Sequence, residues 1–151
     1  MTIGVSRVDV HTHFFPPTLP DLAARTGDGR WPALAVADGR GRIVRGAETF
    51  RVVDATCWDV ARRIEAMDAM AIDVHVLSPV PVTLVYWADT ELAVEFSHRQ
   101  NDLLAGAVAA HPQRLRGLAS VPLPDVDAAV AELQRAVDEL GLAGVEVGAQ
   151  V

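Results

Sequence analysis

Asp9-Val10-His11-Thr12-His13 is the segment of this sequence with the clearest capacity for chemistry. In an extended strand, side chains two residues apart lie on the same face. Asp9, His11 and His13 then point one way, toward the fold interior if Val8, Val10 and Thr12 face the covering helices. Two imidazoles at the C-terminal end of a strand can grip one divalent ion. Neutral histidine nitrogen favours zinc, with iron, cobalt or manganese as alternatives. Asp9, one step deeper, can orient a ligand by accepting a hydrogen bond from it. The competing reading is a pair of ordinary histidines in an exposed turn. The pair's place at the end of an apolar strand, just before Phe14-Phe15-Pro16-Pro17, favours the metal.

Other reactive side chains carry blander expectations. His75 lies inside a second apolar run, shares a face with Asp73, and reads as a buried, hydrogen-bonded histidine. His98 falls on the polar side of a long helix and reads as solvated. His111, before Pro112, suits a helix end, where the dipole favours it. Cys57 has no activating neighbour in sequence and reads as an inert thiol. Glu146 points inward if Val145 and Val147 face helices. Trp31, Phe50, Tyr86 and Trp87 can line a pocket or fill the core.

Positioning these groups takes a regular scaffold, and the chain spells one out. Val5–Val10, leading into His-Thr-His, is a first strand. Residues 14–58 form a long stretch with turn signals at Pro16-Pro17, Gly27-Asp28 and Gly39-Arg40-Gly41. Within it, Leu34–Val36 and Arg42–Val44 can pair as a small hairpin. Asp59–Met70 is a helix with Ile64, Met67 and Ala71 on its apolar side and Arg62, Arg63, Glu65 and Asp68 mostly on the other. Ile72–Leu77 is a second strand. Thr90 can cap a helix running to about Ala110, and Leu118–Val121 is a third strand. Asp125 or Asp127 can cap a last helix with a stripe at Val130, Leu133, Val137 and Leu140. Gly141 closes that helix and Gly144–Val147 is a fourth strand.

Alternating strands and helices imply an α/β fold with a parallel sheet and right-handed crossovers. A doubly wound sheet and a (β/α)8 barrel both follow this pattern. The first strand is not followed by the glycine-rich loop of a dinucleotide fold. The long loop and the polar residues at strand ends suit the barrel. A full barrel needs about 250 residues. The expectation is therefore the N-terminal half of a (β/α)8 TIM barrel, truncated after strand four: one partial domain over 1–151 with a loop insertion at about 14–58.

Composition narrows the function classes. The 151 residues are 50% hydrophobic and 22% charged, as a globular chain requires. A net charge of -7 without a basic run argues against nucleic acid and anionic membranes as partners. The apolar stretch Val74–Ala88 is interrupted by His75, Ser78, Pro79 and Pro81, too often for a membrane span. The start of the chain does not read as a signal peptide, and the single cysteine fits a cytoplasmic location.

The ordered motifs resemble the amidohydrolase superfamily, specifically its amidohydrolase-related decarboxylases and, among these, the aminocarboxymuconate-semialdehyde decarboxylases. The resemblance begins at Asp9–Pro16. It continues through Phe50-Arg51, Trp58-Asp59, Arg63–Asp68, Ile72-Asp73-Val74, Arg99–Asp102, His111–Arg114, Val121-Pro122-Leu123 and Gly144–Gly148. It implies a metal, usually zinc, held by His11 and His13. It also implies substrate binding by Phe50 and Arg51, the arginine gripping a carboxylate. A planar guanidinium binds a carboxylate through two parallel hydrogen bonds. The activity implied is decarboxylation of a small unsaturated or aromatic carboxylic acid, aminocarboxymuconate-semialdehyde-like, by a homodimeric enzyme. The family's third histidine ligand, catalytic histidine and aspartate would lie beyond Val151. Two alternatives stay open: hydrolysis of an amide, ester or lactone on the same scaffold, and a catalytically incomplete fragment.

Overall fold

A computed structural model describes residues 6–123 and 125–149. Four strands make the main sheet: β1 (Val8–Phe14), then, after the segment described next, β5 (Val74–Pro79), β6 (Leu115–Ala119) and β7 (Gly144–Val145). Between β1 and β5 come the short helix α1 (Leu22–Thr26), the strands β2 (Pro32–Ala37), β3 (Arg40–Arg45) and β4 (Glu48–Val53), and the helix α2 (Val60–Met70). Helix α3 (Thr90–Ala110) joins β5 to β6, and α4 (Val126–Asp138) joins β6 to β7.

The main sheet runs in the order β1-β5-β6-β7, every neighbouring pair parallel. Strand order follows chain order without reversal. Met67 of α2, Leu104 of α3 and Ala136 of α4 share one core with Phe14, Leu77, Leu115 and Ala119 of the sheet. All three crossover helices therefore cover one face, as in a barrel wall, whereas a doubly wound sheet carries helices on both. The opposite face is open: Val8, Val10 and Val147 are 50%, 69% and 52% exposed.

The segment 14–58 carries its own elements. The expected hairpin forms as β2 and β3, turning at Asp38-Gly39, where both residues have positive φ, as an Asp-Gly hairpin turn demands. A third antiparallel strand, β4, joins it. This small sheet packs through Ile43, Leu34 and Val53 onto Phe15 and Val80, which follow β1 and β5. Gly41 admits the Trp58 ring so closely that a Cβ there would fall 2.4 Å from it.

Several boundaries differ from expectation. Val5 lies outside the described residues, and β1 extends through the His-x-His pair to Phe14. The second strand begins at Val74, because the Ile72 N–H still closes the α2 end on the Met67 carbonyl and the pairing with β1 starts at Val74. The third is Leu115–Ala119 rather than Leu118–Val121, and the fourth stops at Val145. Asp89, not Thr90, is the cap residue of α3, and the Thr90 hydroxyl instead donates to Asp125. Asp125 caps α4 by accepting the Ala128 N–H. The stripe expected on α4 is exposed at Val130 (48%), Leu133 (37%) and Val137 (42%). Ala129, Glu132 and Ala136 face inward instead. The helical period was legible but its phase was not, because small alanines and a satisfied carboxylate seat this helix.

Candidate metal and carboxylate site

The register between β1 and β5 slips once. Asp9 pairs with His75 and Thr12 with Leu77, so three steps along β1 match two along β5. This bulge breaks the strict alternation. Bulges are frequent beside active sites, where they re-aim side chains. Asp9 accordingly does not join the histidines. Its Oδ2 lies 4.0 Å from Nε2 of the buried His75, toward the helices, while Oδ1 accepts the His11 N–H at 3.0 Å. Asp9 thus steadies the His11 main chain rather than an imidazole.

The His11 and His13 rings do come together, with centroids 5.3 Å apart and planes at 82°. His11 is exposed and His13 half-buried. His13 Nδ1 lies 2.9 Å from the Pro79 carbonyl and 3.0 Å from the Ser78 hydroxyl. A carbonyl only accepts, so Nδ1 carries the proton and Nε2 keeps its lone pair free for a ligand. The Ser78 hydroxyl turns its own proton toward the Thr12 carbonyl, 3.5 Å away. This donor set fits a divalent ion as two of its ligands. Among the described residues, no group of three or more His, Cys, Asp or Glu side chains converges as a metal site.

Behind the pair sits a buried polar layer that the sequence did not announce. Arg63 of α2 is only 4% exposed. Its guanidinium donates to the His13 carbonyl at 2.5 Å and to His75 Nδ1 at 3.3 Å. Because arginine only donates, His75 Nδ1 accepts, and its proton resides on Nε2. The sequence reading placed Arg63 on the polar side of α2. Its position four residues before Met67, on the same helical face, was the signal available.

Burial first, then the Arg63 charge, push the His75 imidazole below the ordinary histidine range, against an opposing pull from Asp9. The consequence is a pH dependence of stability. Below the unfolded value of about 6.5, the unfolded chain takes up a proton that the folded chain refuses. Stability is therefore full above that value and declines as pH falls below it. Urea unfolding between pH 8 and 5 should show this decline, and His75→Gln, which keeps an acceptor for Arg63, should flatten it. Equal slopes for the two proteins would refute this assignment.

Phe50 and Arg51 lie on β4, where a second register slip occurs: Ile43 pairs with Arg51 but Val44 with Thr49. Phe50 is the extra residue. It lines a pocket of about 300 Å³ with Arg30, Arg45, Pro81, Val82, Leu84 and Trp87. The Arg45 guanidinium stands 5.6 Å from the Phe50 ring, and Arg30 stands 4.1 Å from that of Trp87. Arg51 is exposed. Pro81 is two residues past Pro79, whose carbonyl holds His13, so pocket and imidazoles share the same end of the sheet.

The remaining candidates separate clearly. Glu146 donates its N–H to the Ala119 carbonyl at 2.9 Å, and one of its carboxylate oxygens is buried without a partner among the described residues. Val145 packs on the core but Val147 is exposed, so only one flanking valine faces the helices. His98, expected to be solvated, is 2.7 Å from the buried carboxylate of Glu132. His111 ends α3 as expected. Burial raises the Cys57 thiol above its ordinary range despite the nearby Arg63, in keeping with an inert group. Trp31 is core, and the Tyr86 hydroxyl accepts the Gly148 N–H at 3.0 Å. No described helix is long and apolar enough to cross a membrane.

The Amidohydrolase family model matches residues 8–151. The chain is 34% identical over 146 residues to 2-amino-3-carboxymuconate-6-semialdehyde decarboxylase of Dictyostelium discoideum, covering 96% of this chain and 41% of that protein. It is 40% identical over 142 residues to gamma-resorcylate decarboxylase of Rhizobium radiobacter, covering 93% and 38%. Among solved structures, the dihydroxybenzoic acid decarboxylase from Polaromonas, with bound manganese and the inhibitor 2-nitroresorcinol, matches at a TM-score of 0.61 and 29% identity, covering 93% and 37%. The 5-carboxyvanillate decarboxylase from Sphingomonas paucimobilis matches at a TM-score of 0.68 and 25% identity, covering 93% and 42%. The chain thus spans about two-fifths of the length of the relatives it matches.

Proposed function

Since the chain belongs to the Amidohydrolase family, we propose that it forms the N-terminal half-barrel of a metal-dependent decarboxylase, a carbon–carbon lyase acting on a small unsaturated or aromatic carboxylic acid. The observation that carries this reading is the His11–His13 pair, with Nε2 of His13 left free by the Pro79 carbonyl. A divalent ion held there supplies Lewis-acid stabilisation of negative charge. Zinc suits two neutral imidazoles, and manganese, present in the Polaromonas relative, is its rival.

The chain's own residues would bind and orient the acid. Arg51, exposed on β4 next to Phe50, would grip a carboxylate by a two-pronged contact. Phe50 and Trp87 offer aromatic surface to a planar substrate beside the same end of the sheet. The sheet's helix-covered face keeps the histidine backbone rigid, while its open face leaves the imidazoles accessible.

The test is carbon dioxide release by the full-length protein from 2,6-dihydroxybenzoate and 2-amino-3-carboxymuconate-6-semialdehyde, with zinc or manganese added. Release should depend on the metal. Arg51→Ala should raise KM roughly 10- to 100-fold, the size of a lost charged hydrogen bond. Metal-independent release, or none from either acid, would sink the proposal.

A further inference from the structure

A buried guanidinium is expensive to install, and an apolar residue of similar volume often serves stability as well or better. Position 63 faces the same core as Met67, so an apolar residue would fit the helix. Arg63 is nevertheless there, and its Nε has no partner among the described residues. What the side chain does have is two aimed contacts, one on the His13 carbonyl and one on His75 Nδ1.

We propose that Arg63 is a positioning residue for the metal pair, tying α2 to β1 at the ligand His13 itself. This rests on the reading of His11 and His13 as ligands. His13 is then held from both ends. The guanidinium fixes its main chain, and the Pro79 carbonyl with the Ser78 hydroxyl fixes its imidazole. Free rotation of the residue is removed, and Nε2 is delivered to one place. Binding sites tolerate errors of only about 0.5 Å in such placement. His75 is the second anchor. It keeps the arginine fork from swinging, and the short distance to His13 depends on that fork spanning two acceptors.

Arg63→Met removes the tether while retaining bulk and burial. Arg63→Lys retains the charge, but an ammonium on a flexible stem does not reproduce the planar fork. Cobalt(II) affinity of the full-length protein, read by titration calorimetry, is expected to fall roughly 10-fold or more in both variants, the range seen when outer partners of metal ligands are lost. The melting temperature of Arg63→Met should hold or rise. Metal-free protein offers a second readout. The His13 imidazole 15N resonances should report the Nδ1–H tautomer set by the Pro79 carbonyl in both proteins, sharp in the parent and exchange-broadened in Arg63→Met, where the untethered main chain lets the ring move. Cobalt affinities equal to the parent, a loss that merely tracks a falling melting temperature, or His13 imidazole resonances as sharp in Arg63→Met as in the parent would overturn the proposal. Cobalt binding that survives in a His11→Ala, His13→Ala protein would overturn the metal reading beneath it instead.

Discussion

Alanine at both His11 and His13 is expected to reduce bound divalent metal from near stoichiometric to background, the largest functional change any substitution in this chain should cause. The two rings stand 5.3 Å apart and His13 is held in the tautomer that frees Nε2, so on the proposed reading the pair is one donor set. Loss of an outer partner alone costs about 10- to 100-fold in affinity, and loss of two direct ligands must exceed that. The fold should survive, because His11 is exposed and His13 only half-buried. Elemental analysis after gel filtration, alongside circular dichroism, separates the two effects. Metal retained at parental stoichiometry by a folded double variant would place the ion elsewhere.

The second large effect concerns stability. Glu132→Ala should cost about 3–5 kcal/mol, the penalty for breaking a buried charge pair. The Glu132 side chain is fully buried on α4. It accepts from Asn101 Nδ2 at 2.6 Å, from Arg135 Nε and NH2 at 2.8 Å each, and lies 2.7 Å from His98 Nε2. Asn101 in turn holds both the N–H and the carbonyl of Ser120, just past β6. Removing the carboxylate strips acceptors from α3 and α4 at once. Arg135 keeps Asp102 at 2.7 Å, which places the loss toward the lower end of the range. Against a usual total of about 5–15 kcal/mol, this is a large fraction. Glu132→Gln, which keeps one acceptor oxygen, should lie between. A loss below about 1 kcal/mol in urea unfolding would show that the network carries little of the fold's stability.

Much of this architecture was legible because the apolar period and the caps are local signals. Asp125 caps α4 as read, and the hairpin turns at Gly39, the first residue of the expected turn signal, although its other half is Asp38. What failed was anything set by pairing between distant segments. The face taken by Asp9 depends on one extra residue opposite His75–Leu77, and a period-two reading has no means of detecting it. The phase of α4 depends on Asn101 and Arg135 satisfying Glu132, an arrangement spread over two helices. The buried role of Arg63 is similar: charge suggested water, but its acceptors are 12 and 50 residues away in the chain. The same applies to Arg114, part of the resemblance, whose guanidinium is occupied by Asp68 and the carbonyls of Ile72 and Asp73. Motif residues can thus mark a family by holding its elements together, without touching substrate.

Trp58 lies against the backbone of Gly41, filling the space a Cβ would need. That seat belongs to the small antiparallel sheet, while the indole follows the turn leading into α2. The ring is therefore a built-in optical gauge of whether the small sheet is seated. Its fluorescence environment changes if that sheet lifts, even while the parallel sheet and its far-ultraviolet signature stay intact.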